Sequence, residues 1–256
     1  MGQAQGSWLE EFRRRVPSLS FADKTLPCQP VLRMQFGGDE PAFHAALYDL
    51  LVRTAGLRSP VEEFDLKESA EVATTEMAST PLALRLLELL VLLRQPRRIL
   101  EIGAFLGISA MVMARAMPPD GQLVTVEVSE RFAELARENF RRNRLDAKIS
   151  LIEGDAVEAV RRMDPSRPFD LIFLDADKDH YATYAVLLDP LVSDGGLLIA
   201  DDAFFHGDVL NEEPTTSKGA GVKAFLEHAQ RLTQYRKLLL PISTGMLLMV
   251  KQRSRA

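Results

Sequence analysis

Cysteine is almost missing from this chain: Cys28 is the only one in 256 residues. No intrachain disulfide can form, nothing points to an oxidising compartment, and Cys28 reads as a small packed or partly exposed side chain. Basic charge is not in excess either. The 31 Lys and Arg residues face 36 Asp and Glu, a formal net charge of −5. That balance argues against a general nucleic-acid or membrane-surface binder, since either needs a basic face. Long apolar runs are also lacking. The longest, Leu82 to Leu93, is interrupted by Arg85 and Glu88 and is too short and too charged to span a bilayer. The opening MGQAQGSWLEEFRRR carries early acids and no apolar core of signal-peptide length, so no secretion or transit signal is read there. No internal repeat or low-complexity tract occurs. A cytoplasmic protein with neither membrane nor nucleic acid as partner is expected.

What is present is enough apolar material for a full core, 46% of the residues, with no need of disulfides or a structural metal. Residues 1–64 read as an arm with helices, serving as oligomer contact or substrate cover. Its first part has weak periodicity and several prolines; then Pro41 starts a helix with Phe43, Leu47, Leu50 and Leu51 on one face and Gly56 at its end. A homodimer is expected, with Trp8 in the arm placed to reach a neighbouring subunit's site.

From residue 65 to 256 the pattern becomes regular. Thr80 and Pro81 offer an N-cap and a first helical position for a mostly buried helix, LALRLLELLVLLR. Short apolar runs then alternate with helical periodicity: RRILEIG, QLVTVEV, KISLIEG, FDLIFLD and GGLLIADD are each followed or separated by helix-like segments. After Ser129 the inward stripe is Phe132, Leu135, Ala136 and Phe140, with Arg131, Arg137, Glu138 and Arg141 facing water. Strand and helix in alternation predict a parallel sheet covered on both faces. The last two runs, RKLLLPI and GMLLMVK, are separated only by turn residues, so they pair as a hairpin and the final strand is antiparallel.

Chemistry gathers at the strand ends, where open α/β sheets bind ligands. ILEIGAFLG puts Glu101, Gly103 and Gly107 around the first strand's end; glycines there allow a tight turn and close approach to a ligand. The spacing is E-x-G-x-x-x-G, not G-x-G-x-x-G, so the pyrophosphate grip of a dinucleotide fold is incomplete. Glu127 closes the second strand, where an acid can accept ribose hydroxyls. EGDA closes the third, with Gly154, Asp155 and Ala156 placed along an adenine ring. Glu101, inside a strand where charge is costly, needs a partner such as a ligand amine or backbone amides. A nucleoside carrying an amino acid satisfies these positions together.

In this order, LEIGAFLGISA, TVEVSE, EGDA, FLDADKDHY, GGLLIADD and LPISTGMLLMVK resemble the motifs of the Rossmann-like S-adenosylmethionine (SAM)-dependent methyltransferases. The nearest likeness is the metal-dependent catechol and caffeoyl-CoA O-methyltransferase family, and it covers roughly residues 65 to 251. The resemblance implies a seven-stranded, mostly parallel sheet with an antiparallel last strand and helices on both faces. It implies SAM as cofactor, lined by Met77, Thr80, Glu101, Gly103, Phe105, Gly107, Ser109, Glu127, Asp155, Ala156 and Asp175, with Met77 and Thr80 closing over the methionine end.

Asp175 ends the fourth strand and Asp201 with Asp202 the fifth. Three converging carboxylates repel one another, and a hard divalent cation resolves this; oxygen-only ligands favour magnesium, with calcium or manganese as alternatives. The family resembled usually has Asn where Asp202 stands. The expected reaction is methyl transfer to one hydroxyl of a small vicinal-diol aromatic, with Asp175 and Lys178 catalytic. Lys178 is read either as a base or as a charged group that stabilises phenolate. Asp177 and Asp179 are read as solvated or supporting groups. His206 is read as a partly exposed loop residue, and Phe204, Phe205 and Ser243 to Met246 as pocket walls or core. A nicotinamide-dependent oxidoreductase and a non-catalytic scaffold are the alternatives; the missing glycine fingerprint counts against the first, and the intact Asp175, Lys178 and Asp201 set against the second.

Overall fold

The seven apolar runs become seven strands in a computed structural model that describes residues 40–253. Trp8 and Cys28 lie outside the described residues. The chain divides after Arg58, a few residues ahead of the boundary drawn from the sequence. In the leading unit, helix α1 (Glu40–Ala55) ends at Gly56, which takes a positive φ. Phe43, Leu47 and Leu51 are half-buried, whereas Leu50 is exposed.

The unit from Ser59 opens with two short helices, α2 (Pro60–Glu63) and α3 (Thr74–Met77), then α4 (Pro81–Arg94). The Thr80 side chain accepts a hydrogen bond from the Ala83 N–H at 3.3 Å, satisfying one of the donors a helix start leaves open. The helix is less buried than its sequence suggests. Ala83, Leu84, Leu87 and Val91 face the core, while Leu89, Leu92 and Leu93 lie in solvent.

Strands β1 (Arg98–Ile102), β2 (Gln122–Glu127), β3 (Ile149–Glu153), β4 (Phe169–Leu174), β5 (Val192–Ala200), β6 (Tyr235–Leu240) and β7 (Met246–Lys251) form one sheet in the order β3-β2-β1-β4-β5-β7-β6. Only β7 runs antiparallel to its neighbours, as the closing hairpin predicted. Between the strands lie α5 (Ile108–Ala116), α6 (Glu130–Arg142), α7 (Ala156–Arg161), α8 (Tyr181–Leu188) and α9 (Ser217–Arg231).

Alternation along β4 shows why the central strands are continuously apolar. Leu171 and Phe173 enter one core with α4, α5 and α6, and Ile172 and Leu174 enter the other with α8 and α9. Each fully buried side chain of this kind contributes about 1.5–3 kcal/mol relative to exposure. The α6 stripe differs from expectation in one respect: Ala133 and Asn139 are buried along with Ala136 and Phe140. Asn139 accepts from the Lys67 N–H at 2.7 Å and donates to the Leu106 carbonyl at 3.0 Å, so an amide on α6 ties the segment before α3 to the turn after β1.

Register positions the site. Ile102 pairs with Val126 and with Leu174, and Leu174 with Ala200. The strands thus stop at one level, and the residues one step on, Gly103, Glu127, Asp175 and Asp201, stand in a row. The strand order reverses between β1 and β4, the crossover where such sheets leave a crevice.

Candidate active site

A cavity of about 520 Å³ opens above this row. Of the residues singled out in the sequence, Met77, Gly103, Phe105, Ser109, Glu127, Asp155, Ala156, Asp175, Lys178 and Asp202 line it, while Thr80, Glu101, Gly107 and Asp201 do not. The sequence reading missed Ser79, His180, Tyr184 and Lys218 on its walls, and Asp177, read as a solvated or supporting group, lines it too. A turn residue such as His180 carries no periodic signal; it reaches the cavity because the short helical turn Lys178–His180 folds it back. Its Nδ1 lies 2.8 Å from Asp177 Oδ2. Phe205 also lines the cavity, whereas His206 is exposed.

The glycines act differently from the sequence reading. A Cβ on Gly103 would lie 2.0 Å from the Asp175 carbonyl oxygen, and one on Gly107 would lie 2.3 Å from the Phe140 ring. Both have positive φ. The close approach seen within the protein is to the end of β4 and to α6; Gly103 also lines the cavity, and Gly107 does not.

Glu101 is fully buried and needs neither ligand amine nor backbone amides. Ser109 donates to Oε1 at 2.6 Å, and Thr125, its cross-strand partner on β2, donates to Oε2 at 2.5 Å. Burial nevertheless pushes its carboxyl up to about 8, against the pull of the two hydroxyls. Glu127 is held by backbone: the Ala104 and Phe105 N–H groups donate to Oε2 at 3.2 and 2.8 Å, and the Ser129 N–H donates to Oε1 at 2.9 Å. Asp155 caps α7 by accepting from the Glu158 N–H at 2.9 Å.

The other end of the cavity is ionic. Lys178 Nζ lies 2.7 Å from Asp175 Oδ1 and 2.9 Å from Asp202 Oδ2. Burial alone would lower its pKa, but Tyr181 and the two carboxylates outweigh that and hold it above the ordinary lysine range. Asp202 is also drawn two ways. Burial raises its carboxyl, and Lys178 together with the Thr244 hydroxyl brings it below the usual value. Asp201 turns back onto the Asp202 N–H at 2.9 Å. Burial first, then the neighbouring carboxylate of Asp175, pushes it up to about 7.

The donor chemistry here, three carboxylates on adjacent strand ends with one raised by burial and repulsion, fits a hard divalent ion. The oxygens are not gathered as a cage, however. No group of three His, Cys, Asp or Glu side chains poised to hold a metal occurs among the described residues, and the Lys178 ammonium sits between Asp175 and Asp202.

This geometry has relatives. The model of a family described as O-methyltransferase matches residues 59–252. The chain belongs to the O-methyltransferase family. It is, by that membership, a SAM-dependent O-methyltransferase. A catechol O-methyltransferase of Niastella koreensis is 34% identical over 158 residues, 61% of this chain and 72% of that protein. The O-methyltransferase ankF of Aspergillus thermomutatus is 31% identical over 190 residues, 68% and 79% of the two chains. Among solved structures, an O-methyltransferase from Bacillus cereus in complex with SAH superimposes with a TM-score of 0.66 at 28% identity, covering 69% of this chain and 83% of the other. TomG from Streptomyces achromogenes, in complex with SAM, gives 0.66 at 28% identity over 75% and 94%. No helix among the described residues of the O-methyltransferase is long and apolar enough to cross a membrane.

Proposed function

We propose that this O-methyltransferase moves the methyl group of SAM to one hydroxyl of a small catechol-type aromatic, with a divalent cation, magnesium first, held by Asp175, Asp201 and Asp202. One observation carries the reading: the row of strand-end residues changes, within one cavity, from amide-held Glu127 to the ionic cluster of Asp175, Lys178 and Asp202. The Glu127 end suits a nucleoside, with Asp155 and Ala156 beside the base and Met77 over the methionine. The ionic end suits an acceptor that must lose a proton.

A phenol is mostly protonated at neutral pH. A bound divalent cation would lower the pKa of hydroxyls beside it and help align them. Lys178 acts as a fixed positive charge that stabilises the phenolate, since its two carboxylate partners keep its proton in place. The phenol's proton passes to solvent, the phenolate oxygen attacks the methyl carbon, the new O–C bond forms as the S–C bond breaks, and the sulfonium sulfur keeps the bonding pair as a neutral thioether. Phe205 offers the ring an aromatic wall.

The names of the relatives support the acceptor class, since a catechol O-methyltransferase is among them. The test is a methyl-transfer assay over a panel of catechols and single phenols, with added magnesium and with excess chelator. Transfer to catechols that chelator abolishes is expected. Equal turnover of single phenols, or full activity in chelator, would overturn the acceptor class or the cation respectively.

A further inference from the structure

Asp202 is backbone-strained and yet tightly oriented. Its φ is +55°, a left-handed conformation unusual for a non-glycine residue and maintained only where neighbours impose it. The neighbours come from the turn between β6 and β7. The Ala203 N–H donates to the Gly245 carbonyl at 2.9 Å and the Phe204 N–H to the Thr244 carbonyl at 2.8 Å. A Cβ on Gly245 would lie 2.6 Å from the Phe204 ring, so only glycine lets the turn seat so closely. On the side chain, the Thr244 hydroxyl donates to Asp202 Oδ1, and Lys178 donates to Oδ2 at 2.9 Å. The turn is braced in turn at its other side, where the Ser243 and Thr80 hydroxyls are hydrogen-bonded.

We propose that Thr244 is a positioning residue for methyl transfer: its hydroxyl sets the rotation of the Asp202 carboxylate and thereby fixes the Lys178 ammonium at the acceptor end of the cavity. A carboxylate pinned at one oxygen only can turn about its Cβ–Cγ bond; pinned at both, by donors from two different elements, it cannot. Lys178 is shared between Asp175 and Asp202, so a turned Asp202 leaves the ammonium drawn toward Asp175 alone. The polarity of the pair also matters. A hydroxyl can donate to a carboxylate, whereas a second carboxylate at position 244 would repel it. Glu127 and Asp155, assigned above to SAM, take hydrogen bonds from the Phe105 and Glu158 N–H groups and none from Thr244, so the effect belongs to acceptor and chemistry. The inference rests on the function proposed above for its kinetic consequence, but its structural core does not.

The experiment compares wild type with T244A, T244S, T244D and D202N/T244D. In the kinetic arm, on a catechol acceptor, T244A should lose about 10- to 100-fold in kcat/KM for the acceptor, the range for a hydrogen bond to a charged group. SAM affinity by calorimetry should stay within about twofold, and T244S should recover most of the loss. T244D should be worse than T244A, and the double variant, in which an amide faces a carboxylate, should recover at least about tenfold over T244D. Manganese affinity measured by calorimetry should fall in T244A and return in T244S.

In the structural arm, a crystal structure of T244A should show the Asp202 carboxylate rotated away from Lys178. T244A kinetics and manganese binding equal to wild type, a parallel fall in SAM affinity and melting temperature with no separate acceptor effect, or an unmoved Asp202 would each overturn the proposal. Wild type failing on every acceptor would instead count against the proposed function, and the crystal structure would still decide the role of Thr244.

Discussion

The two ends of the cavity treat buried acids in opposite ways. Around β1 and β2, Glu101 and Glu127 meet only neutral donors, two hydroxyls and three backbone amides. Around β4 and β5, Asp175 and Asp202 meet a cation. Neutral donors hold a side chain in place with little long-range field, which suits a permanent cofactor cradle. A buried ammonium between carboxylates concentrates charge where a reacting proton and an anionic nucleophile must be managed. Under the function proposed above, the difference separates binding from chemistry within one sheet edge.

The sharpest break in that contrast is at Lys178. Replacing it with methionine leaves two carboxylates without their cation, and kcat should fall on the order of 10²–10³-fold, with SAM affinity largely kept. Arginine at the same position decides the role: it keeps the charge and cannot give up a proton. Partial activity in K178R is the expected result in a steady-state assay, whereas K178R as inactive as K178M would mean that Lys178 works as a base.

At the β1–β2 end, pH does what the Lys178 ammonium does at the other. The Glu101 carboxyl sits at about 8 in the folded chain against 4.5 as its ordinary value. A folded-state pKa raised above the unfolded one means that the folded chain keeps a proton the unfolded chain releases. Its contribution to stability is fully present below about 4.5 and is lost as pH rises to about 8, at up to about 1.4 kcal/mol per unit. Denaturant unfolding of wild type and E101Q across pH 5 to 8.5 should show that slope reduced in the variant. Parallel curves would mean that the two hydroxyls suffice to keep Glu101 ionised.

The smallest effect is expected at the turn between β1 and α5. Gly107→Ala puts a methyl against the Phe140 ring at a positive φ and should cost about 1–3 kcal/mol of stability. SAM affinity, measured well below the melting temperature, should change little, because Gly107 is not on the cavity wall. A large loss of SAM affinity with unchanged stability would instead mean that the turn reads the ligand directly.

The sheet was legible because its evidence is local and repeated. Seven apolar runs, glycine after the first, acids after the second, fourth and fifth, and a short turn between the last two correspond to the observed strands within a few residues. The cavity wall was largely legible too, since residues that follow strands in register must share a rim. What escaped the reading has no period. Asn139 was in neither the inward stripe nor the water-facing set read from the sequence, and is an internal brace. Leu89, Leu92 and Leu93 looked like core and lie in solvent. Thr244 and Asp202 are far apart along the chain, and no spacing rule joins a hydroxyl in a hairpin turn to an acid after a parallel strand.

From its sequence alone this chain was bound to build an open, mostly parallel sheet with acidic strand ends, because burial of alternating side chains and the geometry of turns are short-range constraints. Which partner each acid would have was settled only by the folded arrangement. Hydroxyls for Glu101, amides for Glu127 and an ammonium for Asp175 and Asp202 depend on strand order and register, and those bring together residues that no local interaction links.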